Sequence, residues 1–370
     1  MRVSIIAGSL PPQICGVGDF TGGLIDALRD RGVTVNVLHE AQWRLRDVPE
    51  LIRRVRAESP DIVHLQYPTH GFRRSLVPHL LHLGLIGLPR LTALHDFAGQ
   101  RWPVRLGMSV FTLGGRLVVT GELDRVAVVR RHPWTRRRLS VIPIGSNIPG
   151  GAWQPSGAFT IVHFGMLRPQ KGVEDMIRLA GLCRQHGRPY RTVIIGAVVP
   201  HACKYAQSLF DLAEGAGVEW RLNATPDQVS ETLRHAHVAY LAPPCGVHER
   251  RGTLLAAATN GLPVVAKVDW ETPAFLRDYV IPASSPEAAL AAIDSLANAP
   301  LRLHQQSDRS VELGRIFSWT TIADQYIAAM RSALPRDIDR RRQPDMPDLN
   351  READHASRVT TGGDARQSLR

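Results

Sequence analysis

Short apolar runs rich in β-branched residues alternate with amphipathic stretches of helical length, and the alternation passes through this sequence twice. Val3–Ile6, Val33–Leu38, Ile62–Leu65, Leu91–Leu94, Leu117–Thr120 and Leu139–Ile142 read as strands, with helices expected near 19–31, 47–58 and 75–87. After a Pro/Gly-rich segment, residues 142–151, the pattern restarts. Phe159–Phe164, Thr192–Ile195, Val218–Arg221, Val238–Leu241 and Val264–Ala266 read as strands, with helices near 171–185, 203–215, 227–235 and 251–260. Nearly unbroken apolar strands separated by helices belong to parallel sheets covered on both faces. The expected fold class is α/β: two Rossmann-like, doubly wound domains, 1–150 and 151–317, facing a cleft. A last helix is expected over 318–334. The tail, 335–370, is poor in apolar residues and rich in Arg, Asp and Pro, and is expected to be disordered.

A chain of 370 residues is too long for one compact domain, in keeping with that division. Its hydrophobic fraction of 44% and charged fraction of 21% exclude a disordered or fibrous chain. Charge is unevenly placed. Residues 1–150 carry 20 of the 45 Lys and Arg side chains but only 11 of the 34 Asp and Glu. Arg125, Arg130, Arg131, Arg136, Arg137 and Arg138 are the densest cluster. Such a half either faces anionic partners (lipid headgroups, phosphorylated carriers, acidic sugars) or is a solvated surface without a partner. No nucleic-acid motif accompanies it, so nucleic acid is not an expected partner.

Cys15, Cys183, Cys203 and Cys245 include no Cys-x-x-Cys pair, which points to isolated thiols in a reducing compartment. The first residues read as a strand and lack the apolar core and cleavage site of a signal peptide. Leu76 to Leu94 is interrupted by His79, His82, Pro89 and Arg90, and reads as helix then strand, not as a membrane span. The expected location is cytoplasmic, with a peripheral contact of the basic half at the inner membrane face.

In open parallel sheets ligands sit beyond the carboxyl ends of the strands. Four clusters fall there. After the first strand, Gly16 and Gly18 open a helix, where bare backbone can approach a ligand. The spacing fails as a dinucleotide fingerprint, because Thr21 stands where its third glycine belongs. A turn without a ligand is the alternative. After the fourth strand comes His95-Asp96, either a cleft-facing imidazole or one satisfied locally by Asp96. After the seventh, Arg168 and Lys171 precede a helix, where a cation at an N-terminus suits a diphosphate; a surface lysine is the alternative. After the tenth, Gly246, Glu249, Arg250, Arg251, Gly252 and Thr253 lead into an Ala-rich helix, as a phosphate and sugar site or as a charged cap.

The glycine loop, His95-Asp96, Ile142-Pro143-Ile144-Gly145-Ser146-Asn147, Lys171-Gly172 and Gly261-Leu262-Pro263-Val264-Val265 occur in this order, and together resemble the retaining, family-4-like glycosyltransferases of the GT-B fold. The likeness covers about residues 1–334, and Glu249-Arg250-Arg251-Gly252-Thr253-Leu254-Leu255 resembles a variant branch. The resemblance implies a nucleoside-diphosphate sugar held by the second domain, and a glycan, lipid-linked or other hydroxyl acceptor held by the first. It also implies no metal or other cofactor, retention at the anomeric carbon, and a final helix crossing back to the first domain. On it, His95, Lys171 and Glu249 are the expected catalytic residues. Gly16, Gly18, Arg168, Lys171, Gly246, Glu249, Arg250, Arg251, Gly252 and Thr253 are the expected donor-binding residues. Met166 stands where the family usually carries Arg, and Arg168 is expected to substitute. The family's glutamate pair falls on His248 and Ala256, with Glu249 expected to take the first role. Met166 and Ala256 keep open an inactive sugar-nucleotide-binding relative, and a GT-B epimerase or phosphorylase is the other alternative reading.

Overall fold

The first half of the chain builds an all-parallel sheet from β1 (Arg2–Ala7), β2 (Thr34–Leu38), β3 (Ile62–Tyr67), β4 (Arg90–Leu94), β5 (Arg116–Val119) and β6 (Leu139–Val141). Between them run α1 (Gly16–Asp30), α2 (Val48–Ala57), α3 (Val77–Gly84), α4 (Trp102–Met108) and α5 (Glu122–Arg131). The second half builds another from β7 (Thr160–Met166), β8 (Arg191–Ala197), β9 (Val218–Leu222), β10 (Val238–Leu241), β11 (Val264–Ala266) and β12 (Ile281–Pro282), also all parallel. Its helices are α6 (Val173–Gln185), α7 (Cys203–Leu212), α8 (Pro226–His235), α9 (Gly252–Thr259), α10 (Pro286–Ala297) and α11 (Pro300–Ile316), followed by α12 (Trp319–Arg331). The structure, a computed structural model, describes residues 1–13, 15–198 and 202–335. The expected disordered tail, 335–370, lies outside the described residues from 336 onwards.

The expected α/β class with two Rossmann-like sheets is what forms. Strand order is β2-β1-β3-β4-β5-β6 in one lobe and β12-β11-β10-β7-β8-β9 in the other. The second is the order of dinucleotide-binding folds, winding outward in both directions from the adjacent strands β7 and β10. A crevice therefore opens between the carboxyl ends of those two strands. In the first lobe the corresponding reversal lies between β1 and β3.

Burial explains the strands. Every residue of β4 and β10 is buried, as is all of β1 beyond Arg2. Helix α1 turns Phe20, Leu24, Ile25 and Leu28 to the sheet, the 3–4 spacing of one helical face. In the second lobe Ile161, Ile194 and Tyr240 pack under α6 and α10 on one side of the sheet. Val162, Val193 and Val264 pack against α8 and α9 on the other.

Several elements go beyond the sequence reading: α4, α5, α10, α11 and β12. Helix α4 carries Pro103 and Gly107, and α5 buries only Asp124 and Val128, so neither displays a clear apolar stripe. Strand β12 has two residues, one of them Pro282. For α10 the start signal was present and passed over: Ser285 caps Ala288 N–H and Pro286 occupies the first turn.

Helix α12 packs on the first lobe. The Trp319 ring lies so close to Gly23 that any side chain there would collide with it, and a Cβ on Gly145 would stand 2.6 Å from its Cε2. Trp319 Nε1 donates to Ser146 O at 2.9 Å. Further along, Tyr326 sits edge-on to His64, with ring centres 5.3 Å apart.

Candidate functional site

At the second lobe's crevice the backbone sets the loops first. Gly172, at φ +78°, precedes α6, and a Cβ there would run into the carbonyl of Ala242 just after β10. A left-handed conformation and a backbone crossing both demand glycine, and they pin Lys171 between β7 and β10. Gly246, at φ +84°, is held the same way: its Cβ would lie 2.5 Å from Thr272 Oγ1 and 2.6 Å from Asp269 N. Arg251 occupies the cap position of α9 and Gly252 is its first residue. The Thr253 methyl lies 3.4 Å from where a side chain on Gly165, near the end of β7, would begin.

These loops gather like charges. Burial, then Arg168 and Arg251, push the Lys171 ammonium down to about 8. Burial above all lowers Arg251 as well, and its Nε is buried without a hydrogen-bond partner. His248 is pushed to about 3 by burial, then by Arg251, Arg250 and Lys171, so its imidazole is neutral. Among the described residues, no carboxylate pairs with Arg168, Lys171 or Arg251, whereas Arg250 has two carboxylates within reach. The cations gather at the entrances of α6 and α9, with the Glu271 carboxylate acting on Arg251, an arrangement that suits an anion because helix N-termini add their own unpaired N–H groups.

Glu249 and Arg250 turn away from that site, toward the first lobe. Arg250 Nη1 donates to Asp96 Oδ1 at 2.7 Å and lies 3.5 Å from Asp124 Oδ2. Asp124 is 1% exposed and accepts from Ala98 N at 2.8 Å; burial chiefly holds its carboxyl above the usual range. The Glu249 carboxyl is buried beside Gly121 and the backbone N–H of Glu122, at the N-terminus of α5. Burial raises its pKa, and the Asp124 carboxylate adds to this. The two lobes therefore meet through a carboxylate on a helix N-terminus and an Arg–Asp pair.

On the first lobe, His95 ends a chain of buried hydrogen bonds. Its Nε2 lies 2.6 Å from Gln66 Oε1; Gln66 Nε2 lies 2.8 Å from His64 Nε2; and His64 Nδ1 lies 3.0 Å from Leu91 O. The amide fixes the direction. Gln66 N–H donates to His64 Nε2, so the His64 proton is on Nδ1, donating to Leu91. Gln66 Oε1 accepts, so the His95 proton is on Nε2 and its Nδ1 presents a lone pair. Burial, then His64, push His95 down to about 3, and burial pushes His64 to about 4, so both rings are neutral. Phe20 of α1 packs on the His95 ring at 5.5 Å. Gly18 is buried, its Cβ position 3.1 Å from Ser9 Cβ, whereas Gly16 is exposed with open space around it at the start of α1. A cavity of about 660 Å³ lies between residues of the two lobes, with Asp19, Asn147, Thr259 and Trp319 in its walls.

No protein-family profile matches the chain. Over 196 residues it is 24% identical to D-inositol 3-phosphate glycosyltransferase of Rhodococcus erythropolis, a match covering 48% of this chain and 42% of that protein. The chain thus spans less than half the length of this curated relative. The crystal structure of Anabaena HepE in complex with UDP and glucose superposes with a TM-score of 0.64 and 12% identity, covering 90% of this chain and all of that one. A glycosyltransferase from Rickettsia africae gives a TM-score of 0.67 at 11% identity, covering 91% and 99%. The fold is GT-B.

Within this GT-B frame, Arg168, Lys171, Arg251, Gly252 and Thr253 come together at the second lobe's crevice. Asp96, next to the buried His95, is bonded to Arg250, which brings the end of β4 to the second lobe. Gly246 shapes its loop, and Gly16 and Gly18 start α1. Glu249 and Arg250 lie at the contact between lobes. Sequence reasoning missed Gln66, His64 and Asp124, and offered Asp96 as a partner for His95, whereas it is bonded to Arg250. One signal was available: His64 and Gln66 stand two apart on an otherwise apolar strand, hence on one face, where buried polar groups need partners.

Proposed function

We propose that the protein transfers a glycosyl group from a nucleoside-diphosphate sugar to an acceptor hydroxyl, with retention and without a metal ion. The observation that carries this reading is the unpaired trio Arg168, Lys171 and Arg251 at the helix entrances. As the bond from the anomeric carbon to the diphosphate breaks, negative charge grows on the departing oxygens. The trio and the N–H groups opening α6 and α9 would receive that charge, each good contact being worth about 2–4 kcal/mol of barrier in a water-poor crevice. His95, neutral and with its Nδ1 lone pair free, would accept from a hydroxyl of the donor sugar. The acceptor oxygen attacks from the leaving-group side, the new C–O bond forms there, and its proton passes to a diphosphate oxygen. Glu249 and Asp124 are engaged at the lobe contact, so this route uses no carboxylate nucleophile.

The UDP and glucose named for HepE and the inositol-phosphate glycosyltransferase relative support the substrate class. A glycan, lipid-linked or other hydroxyl compound on the first lobe is the acceptor class, and the cytoplasm the proposed location. A thermal-shift screen against UDP, GDP, ADP and TDP and their sugar conjugates should raise the unfolding temperature for one base, since only the folded state binds. Lys171→Ala should remove that shift and, with the matching donor and acceptor, most of the turnover while folding persists. Binding without any release of nucleotide would favour an inactive relative, and unchanged turnover in Lys171→Ala would refute the diphosphate site.

A further inference from the structure

From Ile62 to Gly121 the sequence holds a single acidic residue, Asp96, and Arg250 already engages it. This stretch includes α3 and α4, whose outer faces are apolar. Leu76, Leu80 and Leu83 recur at i, i+4 and i+7 along α3, all exposed, and Ile86 follows at 60% exposure. The opposite face of α3 is used for packing: Val77 and Leu81 are fully buried, and His79 stacks on Phe111 at 4.9 Å. Helix α4 lies alongside, since a Cβ on its Gly107 would stand 3.3 Å from His79 Nε2. It exposes Trp102, at 72%, and Leu106. Single exposed apolar residues are ordinary, but a stripe across two neighbouring helices marks a surface that is covered in use. Arg73, Arg74, Arg101 and Arg105 flank it, and among the described residues none of them pairs with a carboxylate.

We propose that this α3–α4 face docks on an anionic lipid bilayer. The charge selects the occupant. A second copy of the chain would set the same guanidinium groups against one another. Anionic headgroups instead accept them, while Leu, Ile and Trp enter the boundary between headgroups and acyl chains. No helix among the described residues is long and apolar enough to cross a membrane, so the contact is peripheral. Both helices follow strands whose carboxyl ends form the His95 side of the cleft, so docking turns that rim toward the lipid. The inference goes beyond the transfer reaction and does not depend on it.

The test is co-sedimentation of the full chain with phosphatidylglycerol vesicles and, separately, with phosphatidylcholine vesicles, without sugar donor. Binding to the first and not the second is expected, with release as salt is raised. Because each arginine near the surface adds about 1 kcal/mol, Arg73→Glu with Arg74→Glu should lower partitioning roughly tenfold or more. Leu80→Asp with Leu83→Asp should do the same, with an unchanged circular dichroism spectrum because both positions face solvent. No binding to either vesicle, equal binding to both, or salt-insensitive binding by the unmodified chain would overturn the proposal. So would light scattering that shows a dimer dissociated by Leu80→Asp with Leu83→Asp.

Discussion

At the scale of single residues, the two sides of the cleft are prepared in opposite ways. Lys171 is a cation held where cations are disfavoured, and what it lacks is an anion. With its pKa lowered to about 8, it loses its proton as pH rises through that value. A bound diphosphate favours the charged form, so affinity for a nucleoside diphosphate should fall above pH 8 by up to about tenfold per pH unit. Calorimetry in two buffers of different ionisation enthalpy should find close to one proton taken up on binding at pH 9. Lys171→Arg should flatten the profile, because a guanidinium keeps its charge there. A pH-independent affinity in the unmodified chain would remove Lys171 from the anion site. His95 is instead neutral and oriented, and its orientation depends on Gln66. Gln66→Leu would strand His95 Nε2–H and leave His64 Nε2 without a donor, each buried loss costing about 1–3 kcal/mol. Urea unfolding should report a loss of at least about 2 kcal/mol, and nitrogen-15 spectra of the unmodified protein should show His95 protonated on Nε2. The other tautomer would break the proposed chain of hydrogen bonds.

Among the elements, glycine decides whether the crevice exists. Gly172→Ala asks a side chain to adopt φ +78° and to enter the space of the Ala242 carbonyl. Left-handed strain alone costs about 1 kcal/mol or more, and the collision must displace the loop. A stability loss of about 2 kcal/mol or more is expected in urea, together with loss of any nucleotide-induced thermal shift. Ala at Gly252, where nothing lies within 4 Å of the Cβ position, should leave stability nearly unchanged. This contrast separates what the sequence made legible from what it did not. Strands were readable because parallel strands are apolar throughout, and the crevice residues because they follow those strands. Lys171-Gly172 was readable as a pair whose glycine serves the backbone. The partners of Arg250 and Glu249 were not, since Asp96, Asp124 and Gly121 are brought to them from more than a hundred residues away by the approach of two lobes. Nor does spacing alone tell a guanidinium that awaits phosphate from one that pairs with a buried aspartate. Helices α4 and α5 were hidden for a related reason: their outward faces are apolar or basic, so the amphipathic signature is blurred.

For the molecule as a whole, the burial that sets up the site also fixes how acid undoes it. His64, His82 and His163 are pushed to about 4, and His95 and His248 to about 3, in each case chiefly by burial. Unfolded, each would protonate near pH 6.5. Between that value and about 4 the unfolded chain therefore binds more protons than the folded one, and stability falls as pH falls. Each histidine contributes up to about 1.4 kcal/mol per pH unit in that window. Buried carboxyls titrate the other way: Asp19, Asp124, Asp175 and Glu249 sit above their usual range, so acid relieves a cost they impose. The relief from these four carboxyls offsets part of the loss from the five histidines. Urea unfolding at pH 7.5, 6.5, 5.5 and 5.0 should therefore give a nearly level stability above pH 7 and a steep decline below 6.5. Four of the five histidines belong to the site or to the strands behind it: His64 and His163 on β3 and β7, His95 just after β4, and His248 beside Arg251. Nucleotide bound at the crevice should then shift the decline to lower pH, because ligand adds stability to the folded state alone. A stability that held level or rose between pH 6.5 and 5 would mean that these rings are not buried and neutral, and with them would go the orientation assigned to His95.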